Sequence, residues 1–444
     1  MSEEAKLDES AQEMSSEENP ERPDDWGRRP LSEISLWTDA GGTPRTSNDE
    51  YWDGDIPWVQ TGELTKRHIR STEKHITELG LEESTAKRFP PGTLLIGMYG
   101  EPTVGESALL EIEATTNQAC CGVSPNTDII NAEFLHQMMQ YEKPRLYSLR
   151  AGSGQQNIRQ GIIRKFEIDI PPLSEQRKIA TALYTVDRAT EKTEEIIGRV
   201  SRIKKGFKQD VFSKGYFDHQ SHQESQVGKI PESWKIESAA DLCDGITVGV
   251  VTGATDSYVS PSEGVPFIRS QDIHENHIEQ DSLKYISEEF HEQQNSSELR
   301  EGDVITVRTG EPGTSCVVPA ELDGANCFSL IISRPKEEVN ERFYSYYINS
   351  EKALDFIDSW KAGGVQDNFN VGVMERLPVP VPTPEEQQAI VDSLDDINHH
   401  LESEREYRNH LQRLKRGLMQ DLLSGKVQTT DTNIEVPEEV AQHG

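Results

Sequence analysis

The chain has 444 residues, enough for two to four domains, and 34% of them are hydrophobic. Its 78 acidic residues against 45 Lys and Arg give a formal net charge of −33, a balance that ordinarily argues against a nucleic-acid partner. No run of apolar residues is long enough to span a bilayer, and the acidic, polar start is unlike a secretory signal, so a soluble, cytoplasmic chain with no membrane partner is expected.

Residues 1–25 carry ten acids and two bases with almost no apolar content and are expected to form a disordered acidic tail. Residues 426–444 read as a second acidic tail. The acidic excess nevertheless runs through the body as well. That composition is expected of a halophilic host, whose salty cytoplasm removes net charge as a test for DNA binding and leaves local patches to carry the argument. Withdrawal of salt should then unfold the protein.

Between Trp26 and Pro172 short apolar runs alternate with Gly, Pro and Asn, as in IPWVQ and GTLLIGMYG, which predicts a mixed α/β or α+β globular domain. One helix is expected near NAEFLHQMMQYEKP. Residues 173–214 follow as one long helix. Ile179, Ala182, Val186, Ala189, Thr193, Ile196, Val200, Ile203 and Phe207 keep a single apolar stripe through alternating steps of three and four. Residues 215–233 are polar and read as a linker.

The chain then says all of this a second time. Pro171–Ser213 aligns without a gap on Pro382–Ser424 at an offset of 211, Gly92–Pro102 on Gly302–Pro312 at 210, and Ile56–Ile69 on Val265–Ile278 at 209. Residues 234–382 are therefore a second globular domain and 383–425 a second long helix. Its stripe is Ile390, Ile397, Tyr407, Leu411, Leu414 and Leu418, with His400 and Glu404 as polar seam positions. Two helices with one stripe each are expected to pack together as a coiled coil.

Catalytic apparatus is missing. There is no phosphate loop, dinucleotide fingerprint, H-E-x-x-H, serine elbow or aminomethyltransferase (N/D)-P-P-(Y/F) motif. The five cysteines lack C-x-x-C spacing and read as reduced core thiols, and two histidines on one loop, His274 and His277, make no metal site without a third ligand. No cofactor and no metal are expected, and a binding or scaffolding function leads.

Base reading uses Arg, Lys, Gln, Asn, Ser and Thr on loops held by a rigid frame. In the first domain the candidates are Gln60, Thr61, Lys66, Arg67, Arg150, Gln155, Gln156, Asn157 and Arg159. Between Tyr141 and Ile170 six bases face three acids, a local reversal of charge that fits phosphate contact. In the second domain the candidates are Arg269, Ser270, His274, Arg308, Thr309, Gln366 and Asn368.

With PPLSEQRKIA, GSGQQNIRQG and TNQACCGV in view, the chain resembles the specificity (S) subunits of type I restriction-modification systems from Trp26 to Gly425. The resemblance implies two target recognition domains, 26–172 and 234–382, and two spacer helices packed antiparallel with pseudo-twofold symmetry. It further implies double-stranded DNA as ligand, read as a split, asymmetric site. The implied partners are two methyltransferase (M) subunits and the ATP-dependent nuclease-translocase (R) subunits, which perform the chemistry. The second half departs from the pattern, with GGVQDN for GSGQQN and TPEEQ for PLSEQ. A methylation-only system and a coiled-coil scaffold with protein-binding globular halves stay open as alternatives.

Overall fold

The computed structural model describes residues 23–100, 102–150, 157–361 and 369–442. The chain divides into two compact units, and neither coincides with a sequence repeat. The first comprises residues 1–194 with 406–444, and the second residues 195–405.

In the first unit a five-stranded sheet is built from β1 (Ser35–Ala40), β2 (His68–Ile69), β3 (Leu94–Gly97), β4 (Ser107–Leu110) and β5 (Cys120–Pro125), in the order β1-β5-β3-β4-β2. All pairs are antiparallel except β2 with β4, and Leu94 stands between Val123 and Leu109. Strands β3 and β4 are buried throughout, which is why their text reads as continuous apolar runs. A three-stranded sheet accompanies it, with Trp58 paired parallel to Thr115.

The second unit repeats this frame. Its four-stranded sheet takes β6 (Cys243–Val248), β7 (Val304–Val307), β8 (Ser315–Val317) and β9 (Leu330–Pro335) in the order β6-β9-β7-β8, and Phe267 pairs parallel to Asn326 where Trp58 pairs with Thr115. The helix expected near Asn131 spans Ala132–Tyr141, and the structure adds its counterpart after Asn340, Glu341–Ile348, each capped by the asparagine side chain. All five cysteines are free and buried, and burial pushes the Cys121 and Cys327 thiols up to about 12.

The long helices run from Leu173 to Lys214 and from Pro384 to Leu423. In the first unit Asp187 meets Lys415 and Lys178 meets Thr429, and in the second Tyr216 meets Ser393 and His219 meets Glu386. Along each helix and the segment that follows it, partners descend in one copy as they ascend in the other, and the packing is antiparallel within each unit. The glutamine in each copy of the S-E-Q or E-E-Q text ties helix to domain. Gln176 accepts from the Asn131 backbone N–H at 2.8 Å and donates to the Pro171 carbonyl, and Gln387 does the same with Asn340 at 3.0 Å and Pro382. Despite the change from PLSEQ to TPEEQ, these two contacts are equivalent.

The apolar stripes need a correction. One heptad column is as expected, with Ile179, Val186 and Thr193 buried on the first helix and Ile390 and Leu411 on the second. The other column stands one residue later than the periodicity predicts, at Leu183, Thr190, Ile197, Lys204 and Val211, and at Leu394, Leu401, Arg408, Lys415 and Leu422. Ile203, Tyr407 and Leu414 are accordingly more than half exposed, and His400 faces solvent while Glu404 is half-buried. The displacement arises because charged residues occupy the buried column. Lys415 is buried against the fully buried Asp187 carboxylate, whose Oδ2 lies at 2.5 Å. Apolar text alone selects the neighbouring column.

Two stretches read as tail and linker are packed parts of the units. Residues 215–233 contain an antiparallel hairpin, His222–Ser225 with Gly228–Pro231, and Ile230 is buried. The C-terminal segment lies on the first unit: Thr429 N–H donates to Glu175 Oε1 at 3.0 Å, Asn131 Nδ2 donates to the Val440 carbonyl at 2.8 Å, and Val440 joins the core. Removing residues 428–444 is expected to lower the melting temperature of the full chain by several degrees, because it uncovers this apolar surface and leaves Asn131 and Lys178 without those acceptors. Differential scanning calorimetry on the truncated chain checks this, and an unchanged melting temperature would contradict it.

Candidate nucleic-acid interface

Three backbone hydrogen bonds lay out one rim of the first unit. Asn117 N–H donates to the Val59 carbonyl at 3.1 Å, Met98 N–H to Ala119 at 2.7 Å and Ile158 N–H to Met98 at 3.0 Å. They bring the ends of β3 and β5 beside the segments carrying Gln60 and Arg159. Gln60 and Thr61 border a depression of about 340 Å³ together with Glu63, Lys66 and Asn117. Gln118 and Thr43 are hydrogen-bonded on the same rim, and sequence reasoning misses both, although Gln118 lies within TNQACCGV. Gly41 and Gly42 close the rim from the other side. A Cβ on Gly41 would overlap Thr116 and the Asn117 carbonyl, so only glycine allows this approach. Gly41→Val is expected to cost about 1–3 kcal/mol in denaturant unfolding, and a change under about 0.3 kcal/mol would show that the loop relaxes freely.

The candidates do not all gather there. Gln155, Gln156, Gln366 and Asn368 lie outside the described residues. Arg67, at φ 61°, turns away from the rim and pairs with Asp187 of the long helix. Lys66 is paired with Glu63 at 3.1 Å. Arg150 lies over the Tyr147 ring at 3.1 Å. Half-buried Asn157 keeps its Oδ1 buried and without a hydrogen-bond partner among the described residues. Arg159 is exposed and meets no carboxylate among the described residues, and the same holds for Arg164 and Lys165 nearby. By contrast, Lys143 is paired with Glu106 and Arg145 with Glu142. Part of the local positive excess is thus neutralised, and Arg159, Arg164 and Lys165 stand exposed with no carboxylate among the described residues.

In the second unit Phe328 N–H donates to the Ile268 carbonyl and Ser329 N–H to Val250, both at 2.8 Å, so the rim repeats. Arg308 and exposed Thr309 leave the end of β7 here, before Gly310 at φ 90°. Arg269 spends its guanidinium on Asp272, at 2.8 and 3.0 Å, and on the Ser282 carbonyl. That holds half-buried Ser270 and exposed Gln271 in a fixed turn. His274 stands on a small hairpin with His277 whose turn residue, Asn276 at φ 59°, is bound by Ser345 and Asn349. Asn276 is the repeat of Arg67, and this hairpin belongs to the helix side of the unit.

Behind the first rim lies a buried polar network. Asp187 accepts from Lys415, Arg67 and, at 2.9 Å, Gln137, while Glu133 accepts from His68 at 2.9 Å. Burial alone would raise the Glu133 carboxyl, but hydrogen bonds from His68 and Gln137 and the neighbouring imidazoles hold it at about 2. Burial pushes the His136 imidazole down to about 3, with Lys415 and Arg67 acting in the same direction against Glu133. In the second unit the corresponding positions carry Asn398 for Asp187, Arg342 for Glu133, Ser345 for His136 and Tyr346 for Gln137. There Asn398 donates to the Tyr346 hydroxyl at 2.7 Å. The network supports the frame. Among the described residues no cluster of His, Cys, Asp and Glu is placed to hold a metal ion, and no helix is long and apolar enough to cross a membrane.

A family model described as the type I restriction modification DNA specificity domain matches residues 23–202 and again 231–413. The chain is 25% identical over 424 residues to the putative type I restriction enzyme MjaX specificity subunit of Methanocaldococcus jannaschii, covering 92% of this chain and 95% of that protein. It is 28% identical over 173 residues to the EcoR124I/EcoR124II specificity subunit of Escherichia coli, covering 38% of this chain and 43% of that one. Among solved structures, the S subunit of a type I restriction-modification system from M. genitalium aligns with a TM-score of 0.61 at 13% identity, over 91% of this chain and 97% of that one, which is a likeness of fold. With the specificity domain present twice on a duplicated frame, this chain belongs to the family of type I restriction-modification specificity subunits.

Proposed function

We propose that the chain reads a two-part, asymmetric site on double-stranded DNA, one part with each rim, and carries the methyltransferase and nuclease-translocase subunits of a cytoplasmic complex to it. The observation that carries this reading is the pair of matching rims with unlike side chains. The loop after the central strand has Met98 and Tyr99 in one unit and Arg308 and Thr309 in the other, on backbones of the same course. A common frame carrying different side chains is what reading two different half-sites requires. Methyl transfer and ATP-dependent cleavage then belong to the partner subunits, two of them methyltransferases, and the chain itself supplies address and not chemistry. The acidic body fits a halophilic interior, where high salt leaves direct base contacts a larger share of binding than phosphate contacts.

A genome-wide map of methylated bases in the host, with and without this gene, tests the reading. Loss of one asymmetric two-part motif is the expected result, and an unchanged map would favour a protein scaffold. Three exposed cations of the first unit that meet no carboxylate among the described residues allow a second check. Replacing Arg159, Arg164 and Lys165 together by alanine is expected to weaken DNA binding by the assembled complex. It should reduce the slope of log K against log salt by about 0.9 for every phosphate that these side chains no longer neutralise. An unaltered slope would remove these residues from the interface.

A further inference from the structure

Among the described residues of the second unit, several half-buried cations end on carboxylates, while Lys336 and Lys352 reach the Asp241 and Lys229 carbonyls. Lys204 and Lys208 reach Glu275, Arg269 reaches Asp272, and Arg334 reaches Asp303. Arg308 is likewise held by neutral groups. Half-buried at the end of β7, it donates Nε–H to the Phe369 carbonyl at 3.1 Å and Nη1–H to Ser329 Oγ at 3.4 Å, and it meets no carboxylate among the described residues. Among the described residues this half-buried cation has only neutral partners, and such a cation can take an acceptor from outside.

The geometry of the support defines that acceptor. A guanidinium has five N–H donors, of which two are used here. The three that remain include one hydrogen on Nη1 and both on Nη2, the fork that pairs with two adjacent acceptors. Ser329, one of the two supports, has φ 54°, a left-handed conformation that is strained for a serine and holds its hydroxyl against the arginine. Resting on the DNA-reading function proposed above, we propose that Arg308 reads a guanine in the half-site of the second unit, placing its Nη1 and Nη2 donors on N7 and O6 in the major groove. Its counterpart in the first unit, at the constant offset of 210, is Met98, which is 2% exposed and offers no donor. The two half-sites therefore differ at the base pair facing this position, with Arg308 as the discriminating residue and Ser329 and the Phe369 carbonyl as positioning groups.

The test uses the full chain assembled with its partner subunits and the methylated motif of the wild-type host as reference. Arg308→Met, which transplants the residue of the first unit, and Arg308→Lys, which keeps the charge and loses the fork, should both relax one G·C position in one half-site. The expected loss of discrimination is roughly 10- to 100-fold, with the other half-site unchanged. Ser329→Ala should relax the same position to a smaller extent. Arg308→Lys guards against a folding defect in the methionine variant. A motif left intact by both Arg308 variants overturns the proposal, as does a uniform weakening across all sequences with base preference retained, which would mark a phosphate contact. Absence of any motif dependent on the wild-type gene would instead remove the DNA-reading function itself.

Discussion

Replacing Asp187 by alanine is expected to destabilise the first unit by about 3–5 kcal/mol, because it strands a buried ammonium. The Asp187 side chain is fully buried and its two oxygens receive Lys415, Arg67 and Gln137. Truncation would leave Lys415, itself only 5% exposed, without its counter-charge and Gln137 without one of its acceptors. For a unit of this size the loss corresponds to a fall in melting temperature on the order of 10 °C. Asp187→Asn, which copies Asn398 of the second unit, keeps the volume and one acceptor and should fall between wild type and alanine. The pair Asp187→Leu with Lys415→Met removes both charges and is expected to recover most of the loss. Urea unfolding of the three variants decides the matter, and a double variant no better than the single one would show that the ion pair is not the source of the cost.

Acid should open the first unit before the second. The His136 imidazole is depressed from an ordinary 6.5 to about 3 in the folded state. Below pH 6.5 the unfolded chain takes up a proton that the folded chain refuses, so stability is lost progressively as pH falls from about 6.5 towards 3. Glu133, depressed from 4.5 to about 2, acts with the same sign between about 4.5 and 2. Each pH unit within either window removes up to about 1.4 kcal/mol per group. The second unit has Ser345 and Arg342 at these positions and lacks both groups. Hydrogen exchange at pH 4 should therefore show protection lost first in residues 132–141 and 68–69, with residues 341–348 still protected. His136→Ser should shift the opening to lower pH, and equal loss in both units would contradict the assignment.

The duplication was legible because gapless offsets survive any change of side chain, and Pro171-Pro172 before one long helix and Pro384 at the head of the other mark their starts. The helical seam was not. Periodicity rests on apolar residues, while Lys204, Lys415 and Arg408 sit in the very column it was used to find. A buried lysine becomes intelligible only once Asp187, 228 residues away, is known to face it. The same holds for the site. Arg308 and Thr309 could be picked out from the repeated frame, and Gln60 after an apolar strand-like run. That Arg67, Lys66 and Arg269 are spent on Asp187, Glu63 and Asp272 depends on side-chain placement that composition does not contain. The C-terminal residues looked like solvated tail because Val436 and Val440 are isolated among acids, and their burial depends on a surface formed by the other end of the chain.

The carboxylates of Glu175 and Glu386 show what the duplication has done to the chain. Glu386 is the acceptor for Trp234 Nε1 and for the backbone of Tyr216 and Phe217, residues joined by continuous polypeptide. Glu175 is the acceptor for Trp26 Nε1 and the backbone of Thr429, which belong to opposite ends of the chain. The same knot is tied once with a covalent thread and once with hydrogen bonds alone. The unit that was copied is thus not the unit that folds: residues 406–444 of the second copy complete the first domain, and residues 195–214 of the first copy complete the second. A protease cut between the two copies would divide both folded units at a stroke, and neither product would hold all the residues of either.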